Sequence, residues 1–275
     1  MANISAADVG KLRQMTGAGM MDCKKALVEA DGDFERAKEL IRERGLAIAN
    51  KRADRDAAEG AVIATTTENG TVGVMIALNC ETDFVAKNED FVNLAKTILD
   101  AAAKNKPADL NALNALMVDG KTIADLVTER SGVTGEKMEV AYYGKVEAPQ
   151  VSSYIHMGNK LATLVGLNKS VDPQIGVNIA MQIAAMSPVS VDETSVPQDV
   201  IEKELEIGRE QARNEGKAEE LLDKIAQGKL QKFFKESTLL NQEFVQEGKI
   251  SVKEYLKKQD KDLTVTEFRR YGLGN

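Results

Sequence analysis

From Ser5 to Gly45 the apolar positions fall at helical spacing in three short runs. Ser5 opens a Ser-x-x-Asp pattern suited to an N-cap, and Val9 and Leu12 share one face behind it. Thr16-Gly17-Ala18-Gly19 breaks that helix. A second runs from Met20 to Ala30 and ends at Asp31-Gly32. Asp33 caps a third, with Ala37, Leu40 and Ile41 on one face and Gly45 as its stop. So small a bundle buries only a small core and is expected to be modestly stable by itself. The charged run Asn50-Lys51-Arg52-Ala53-Asp54-Arg55-Asp56 reads as a linker.

At Gly60 the period changes from helical to alternating. Val72, Val74, Ile76 and Leu78 point one way along a strand, and Asn69-Gly70 before them is a two-residue hairpin signal. A helix follows from about Asp90 to Ala103, with Val92, Ala95 and Leu99 on one face. The same order then recurs. Val140 to Tyr143 and Val151 to Ile155 read as strands, a turn passes through Gly158, and Leu161 to Leu167 returns. In the next helix Val177-Asn178-Ile179-Ala180-x-x-Ile183 matches Val92-Asn93-Leu94-Ala95-x-x-Ile98, which suggests a duplicated sheet-plus-helix unit. Gly70 and Val92 are 22 residues apart, Gly158 and Val177 only 19. The first copy therefore has three extra residues, where Thr82-Asp83-Phe84-Val85 lies.

Pro197 to Asp262 reads as a charged helical excursion standing off the sheet, punctuated by Gly216, Gly228 and Gly248. Phe244, Val245, Tyr255 and Leu256 are assigned to it. The alternating run Leu263–Phe268 is a strand returning to the second sheet. The expected fold class is α+β. Its divisions are a three-helix domain (1–50), a linker (51–59), core units at 60–139 and 140–196, a helical insertion (197–262) and a return strand (263–275).

Composition narrows the function. The 275 residues carry a formal charge of -7, a pI of about 5.1, 43% hydrophobic and 29% charged positions, and no Trp. Lys and Arg alternate with Asp and Glu almost everywhere, so direct nucleic-acid binding is not expected. Cys23 and Cys80 are too distant for a metal knuckle and too few for a disulfide framework. The start, Met1-Ala2-Asn3-Ile4-Ser5, lacks the basic and apolar stretches of a signal peptide, and no run approaches the ~20 apolar residues of a membrane helix. A cytoplasmic protein is expected, without a membrane partner, and the sequons at Asn3, Asn69 and Asn168 carry no glycosylation meaning.

Little here suggests catalysis. His156 stands alone, so no multi-histidine metal centre is available, and a strand-end or surface role is favoured over a catalytic one. Gly17-Ala18-Gly19 lacks both the third glycine of a dinucleotide fingerprint and a preceding strand. No phosphate-loop motif occurs, so the chain is not itself a GTPase. No cofactor or metal is expected, and the chain is not expected to be an enzyme.

Phe84 is the odd residue, an aromatic in a polar connection between Glu81-Thr82-Asp83 and Lys87-Asn88-Glu89-Asp90. Taken alone, it and Val85 are expected to tuck under the sheet, since most apolar side chains are buried. Met20-Met21 raises the same question. Adjacent helical residues point about 100° apart, so one is expected to pack while the other is a flexible contact.

Three segments carry a resemblance. Thr16-Gly17-Ala18-Gly19-Met20-Met21-Asp22-Cys23-Lys24-Lys25-Ala26-Leu27 resembles the N-terminal signature of the bacterial elongation factor Ts family. Asn79-Cys80-Glu81-Thr82-Asp83-Phe84-Val85-Ala86-Lys87 resembles its second signature, and Val151-Ser152-Ser153-Tyr154-Ile155-His156 the start of its C-terminal subdomain. The resemblance covers essentially the whole chain. It implies a ubiquitin-associated-like three-helix domain, two related α+β subdomains and a coiled-coil insertion. It also implies guanine nucleotide exchange on elongation factor Tu. By that resemblance Leu12, Met20 and Met21 contact the partner's GTPase domain. Thr82, Asp83, Phe84 and Val85 enter near its magnesium, and His156 touches a more distant domain. Some family members continue past the last strand into a further contact helix. Here the sequence ends at Gly272-Leu273-Gly274-Asn275, and that contact is not carried over.

Two other readings stand beside this one: a ubiquitin-associated-like adaptor that recruits another protein, and an unrecognised enzyme. A simple adaptor has no need of the Thr82–Val85 connection. Whether the helical insertion forms a homodimer or only meets the partner is left open.

Overall fold

A computed structural model describes residues 4–52, 54–67 and 69–274. Asn3, Ala53 and Asn275, which the sequence reading touches, lie outside them, as do Met1 and Ala2. The fold is α+β. Helices α1 (Ala6–Thr16), α2 (Met20–Glu29) and α3 (Phe34–Lys51) form the first unit. Ser5 and Asp8 cap α1 reciprocally, and Asp33 accepts the Glu35 and Arg36 N–H groups at the start of α3. Val9, Leu12, Cys23, Ala26, Leu27, Ala37 and Leu40 make its small core.

Helix α3 does not stop at Gly45. It runs on to Lys51 because Gly45 has a packing role. A Cβ built on Gly132 would fall 2.1 Å from the Gly45 Cα, so two backbones nearly touch there. Gly132 belongs to a helix of the next unit, and Arg42–Glu129 (3.1 Å) and Lys121–Glu129 (2.6 Å) ion pairs flank the crossing. The three-helix unit therefore rests directly on the core.

Strands β1 (Glu59–Thr66) and β2 (Val72–Cys80) form the first hairpin. Its turn is longer than the two-residue type expected: the Thr67 N–H reaches the Val72 carbonyl, and Gly70 takes a positive φ of 67°. Then come α4 (Asp83–Ala86), α5 (Glu89–Asn105), α6 (Leu110–Asn114), a small hairpin of β3 (Met117–Val118) and β4 (Lys121–Thr122), α7 (Ile123–Thr134) and β5 (Met138–Glu147). The apolar face of α5 is Phe91, Ala95, Ile98, Leu99 and Ala102, whereas Val92 is only half-buried. Val140–Tyr143 does not open the second unit as expected. It lies in β5, which pairs antiparallel with β2 and completes a sheet ordered β1-β2-β5. The first sheet thus extends past the expected division at 139/140.

The second sheet repeats the order with β6 (Gln150–Ile155), β7 (Leu161–Leu167) and, after helices α8 (Pro173–Met186), α9 (Gln198–Asn214), α10 (Leu222–Ser237) and α11 (Val252–Gln259), strand β8 (Val265–Gly272). The excursion is shorter than the expected 197–262. Only α9 and α10 stand off, and Gly228 lies inside α10 without breaking it. Leu239, Leu240, Phe244, Tyr255 and Leu256 fold back onto α8 and β7, with Phe244 and Tyr255 stacked at 4.0 Å. Their aromatic and aliphatic area is what pulls 238–262 into the core.

The core therefore has four layers. Val72, Val74, Ile76 and Leu78 face α5 and α7, as their alternation predicts. From the opposite face of the same sheet Val62, Met75 and Ala77 meet Val151, Ala162 and Leu164 of the second sheet. Behind that sheet lie α8 and α11. Strand β2 is buried along its whole length, which makes it the rigid spine from which the next residues project.

Candidate functional site

Immediately after β2 the chain leaves the core through Glu81 and Thr82 and makes the single turn of α4. Cys80 is buried. Its thiol donates to the Thr82 carbonyl at 3.2 Å, and burial pushes its pKa up to about 12, so it is an inert anchor. The Glu81 carboxylate accepts the Lys137 N–H at 2.7 Å and pairs with Arg52 (3.3 Å) and Arg55 (3.0 Å) of the linker. The Lys137 N–H, followed by the arginines, holds this carboxyl below its ordinary range. Thr82 donates its N–H and its hydroxyl to Glu136, at 3.0 and 2.7 Å. The Thr82 hydroxyl oxygen accepts the Val85 N–H and caps α4.

The four residues of this turn then separate by role. Val85 packs against the first core, and Ala86 joins it. Asp83 bonds Lys87 at 2.6 Å across one turn, chiefly through that ammonium, which lowers its pKa. Phe84 does not tuck under the sheet as composition alone suggests. It is 83% exposed. Val85 is the loop anchor, and because adjacent helical side chains diverge by about 100°, anchoring it turns Phe84 outward.

The three-helix unit corrects two expectations. Leu12 is completely buried in the core of the bundle and cannot contact another molecule while the bundle is intact. The two methionines do not divide into one packed and one free. Met20 and Met21 are 50% and 63% exposed, because Cys23, Ala26 and Leu27 take the inward positions of α2. Met21 continues into an open groove with Lys24, Lys25, Val28 and Arg44.

His156 sits exposed at the end of β6, 2.9 Å from the Tyr154 hydroxyl through Nδ1. With Tyr154, Leu161, Met181, Ala185 and Val245 it lines a shallow groove of about 350 Å³. Met157, next along the turn, is 90% exposed. The groove is built on the second half of the core and α4 on the first, but the hairpin tip beyond His156 crosses to the first half. The Val62 N–H reaches the Asn159 carbonyl at 2.7 Å, and Lys160 pairs with Glu59 at 2.8 Å and helps lower the Asp83 pKa. Three elements, α2, α4 and the β6–β7 hairpin, thus carry the candidate residues other than Leu12. Among the described residues no cluster of His, Cys, Asp or Glu is suited to hold a metal, and no helix is long and apolar enough to cross a membrane.

Several participants escape sequence reasoning. Glu136, Arg52 and Arg55 act on residues 26 to 54 positions away, and no local pattern marks them. Met157 carries a usable signal: a large apolar residue beside a turn glycine.

Comparison with known proteins sets the class first. The relatives are translation elongation factors, proteins of protein biosynthesis. A family model described as elongation factor TS matches residues 81–275. The elongation factor Ts of Christiangramia forsetii is 51% identical over 278 residues, covering 100% of both chains. That of Porphyromonas gingivalis is 51% identical over 271 residues, covering 98% of each, and that of Flavobacterium psychrophilum 49% over 277 residues, covering 100% of each. The chain belongs to the elongation factor Ts family.

Proposed function

We propose that this chain binds the GTPase elongation factor Tu and accelerates release of its GDP, so that GTP can enter. The observation that carries the reading is Phe84, an aromatic side chain 83% exposed on a turn whose other residues are tethered. Family membership supplies the partner; the geometry supplies a means.

The three surfaces take different parts. Met20 and Met21 on α2 grip one region of the partner, and the groove around His156 grips another. The α4 turn works between them, beside the partner's magnesium and phosphate site. GDP is held there by backbone amides and by Mg²⁺, whose octahedral ligand sphere at about 2.0–2.1 Å tolerates little displacement. Phe84 enters as an apolar wedge while Asp83 and Thr82 fix its approach and Val85 holds the turn to the core.

Magnitudes show what the wedge can do. Burying one phenyl side chain stabilises a complex by about 2 kcal/mol. Coupling between two sites is typically about 1–3 kcal/mol. Phe84 therefore matters only if its pocket forms chiefly when the metal site is disturbed, because equal burial in both states shifts nothing. Contacts elsewhere raise affinity without driving release. Reciprocity follows: bound nucleotide weakens the factor's binding by the same ratio in which the factor weakens the nucleotide's.

The test is release of a fluorescent GDP analogue from elongation factor Tu, with and without this chain. Acceleration by substoichiometric chain is the expected result. Tight binding with no acceleration would replace the exchange reading with the adaptor reading.

A further inference from the structure

A four-residue helix has no stability of its own, because nucleating one turn fixes several residues for a single hydrogen bond. The α4 turn must therefore be held from outside, and the holding group comes from the loop after α7. Helix α7 ends in a left-handed Gly135, and the next residue, Glu136, directs its carboxylate back at Thr82. Both carboxylate oxygens are used, one on the Thr82 N–H and one on its hydroxyl. That second bond orients the hydroxyl so that its oxygen faces the Val85 N–H.

The Glu136 backbone is itself fixed. Its carbonyl accepts the Ser131 hydroxyl, and its N–H reaches the Thr134 hydroxyl at 3.3 Å. Ser131 is buried, and the adjoining Gly132 is the residue that meets Gly45 of α3. One stretch of α7 thus seats the three-helix unit and, four residues further on, sets the α4 turn.

We infer that Glu136 is a positioning residue for Phe84: its two hydrogen bonds to Thr82 hold α4 formed in the free protein, so that docking need not order the turn. Preorganisation of this kind acts on the step that uses Phe84 and leaves the gripping surfaces alone. The kinetic consequence rests on the exchange function proposed above; the structural one does not.

Two variants and two readouts separate these. Glu136→Ala removes both acceptors, while Glu136→Gln keeps one. In the isolated chain, amide hydrogen exchange at Val85, Ala86 and Lys87 should accelerate about tenfold in Glu136→Ala, the scale of a lost hydrogen bond to a charged group, and less in Glu136→Gln. Amides of β2 such as Met75 and Ala77 should stay protected, which shows that the fold is intact. Unchanged exchange at 85–87 overturns the clamp whatever the protein's function.

With elongation factor Tu, the saturated rate of GDP-analogue release should fall about tenfold in Glu136→Ala and recover in part in Glu136→Gln, with half-saturation moving less than about threefold. Added to Phe84→Ala, Glu136→Ala should cost nothing more, because it acts through the same side chain. A full additional loss in the double variant, or a loss confined to half-saturation, overturns the positioning role. Absence of release by the wild type would sink the exchange reading, with the amide result still deciding the clamp.

Discussion

The two halves of the core share one frame and use it differently. Each sheet places the second strand of a hairpin in the middle and adds a third strand later in the chain: β1-β2-β5 and β6-β7-β8. Each lays a helix, α5 or α8, across the outer face. The connection from middle strand to helix occupies residues 81–88 in the first half and 168–172 in the second, three fewer. Those three residues make room for α4 and expose Phe84. The second half instead exposes Met157 beside His156 at its hairpin tip and places the α9–α10 pair between helix and third strand. A rigid frame tolerates such insertions at its connections, and contact residues collect there.

The helices differ as well. At the position where α5 carries Phe91, fully buried, the matching motif in α8 places Gly176. A Cβ there would come within 2.1 Å of the Ser152 hydroxyl. The first half fills the space between helix and sheet; the second half closes it.

The largest effect should come from emptying that space. Phe91→Ala is expected to destabilise the chain by about 3–5 kcal/mol, seen as a lower midpoint of urea unfolding. A loss below about 1 kcal/mol would mean the helix collapses onto the sheet, as α8 already does, and the contrast between the halves would dissolve.

Next in size is the contact that seats the three-helix unit. Gly132→Ala should cost about 1–3 kcal/mol, because the added carbon meets Gly45 backbone, which cannot rotate aside. Proteolysis between Arg52 and Ala58 should quicken while both halves of the core stay folded. Unaltered cleavage would show that the unit is seated by the ion pairs of Arg42 with Glu129 and Asp125 instead.

Acid should loosen the first half's connection before the second's. Glu81 has a lowered pKa in the folded state, so its contribution is present above the ordinary glutamate value of about 4.3 and is lost as pH falls through the lowered value. As pH falls through that lowered value, protonation frees Arg52, Arg55 and the Lys137 N–H. Hydrogen exchange at residues 81–87 should then rise ahead of that at 168–172. Simultaneous loosening would remove Glu81 as the cause.

The smallest effect is expected from the α9–α10 pair. Its ends are already joined in the core, with the Val189 N–H on the Ser237 carbonyl and the Leu239 N–H on the Ser190 carbonyl. Its own cluster of Val196, Leu230 and Phe234 leaves with it. Replacing 193–236 by a short Gly-Ser linker should shift stability by no more than about 1 kcal/mol. A cooperative collapse of the second sheet would show that the pair is part of the core.

Local pattern revealed the α1 cap, the inward face of β2 and the repeated motif, because each depends on neighbours within a few residues. It missed what long-range packing decides. Gly45 looks like a helix stop because its partner, Gly132, is far away in sequence. Val140 lies in a strand that pairs backward to β2, and strand sequence does not state its partner. Phe244 and Tyr255 read as part of an excursion, yet they fill the second core. The family resemblance makes Leu12 a contact residue, and the bundle buries it. Phe84 and Val85 are chemically alike, and the packing of Val85 on the first core sends one inward and the other out.

The most direct test of the account compares the two halves in one assay, the saturated rate and half-saturation of GDP-analogue release from elongation factor Tu. Phe84→Ala should lower the saturated rate more than about tenfold with little change in half-saturation, whereas His156→Ala should raise half-saturation and leave the saturated rate intact. If His156→Ala lowers the saturated rate as much as Phe84→Ala does, nucleotide release does not belong to the α4 turn.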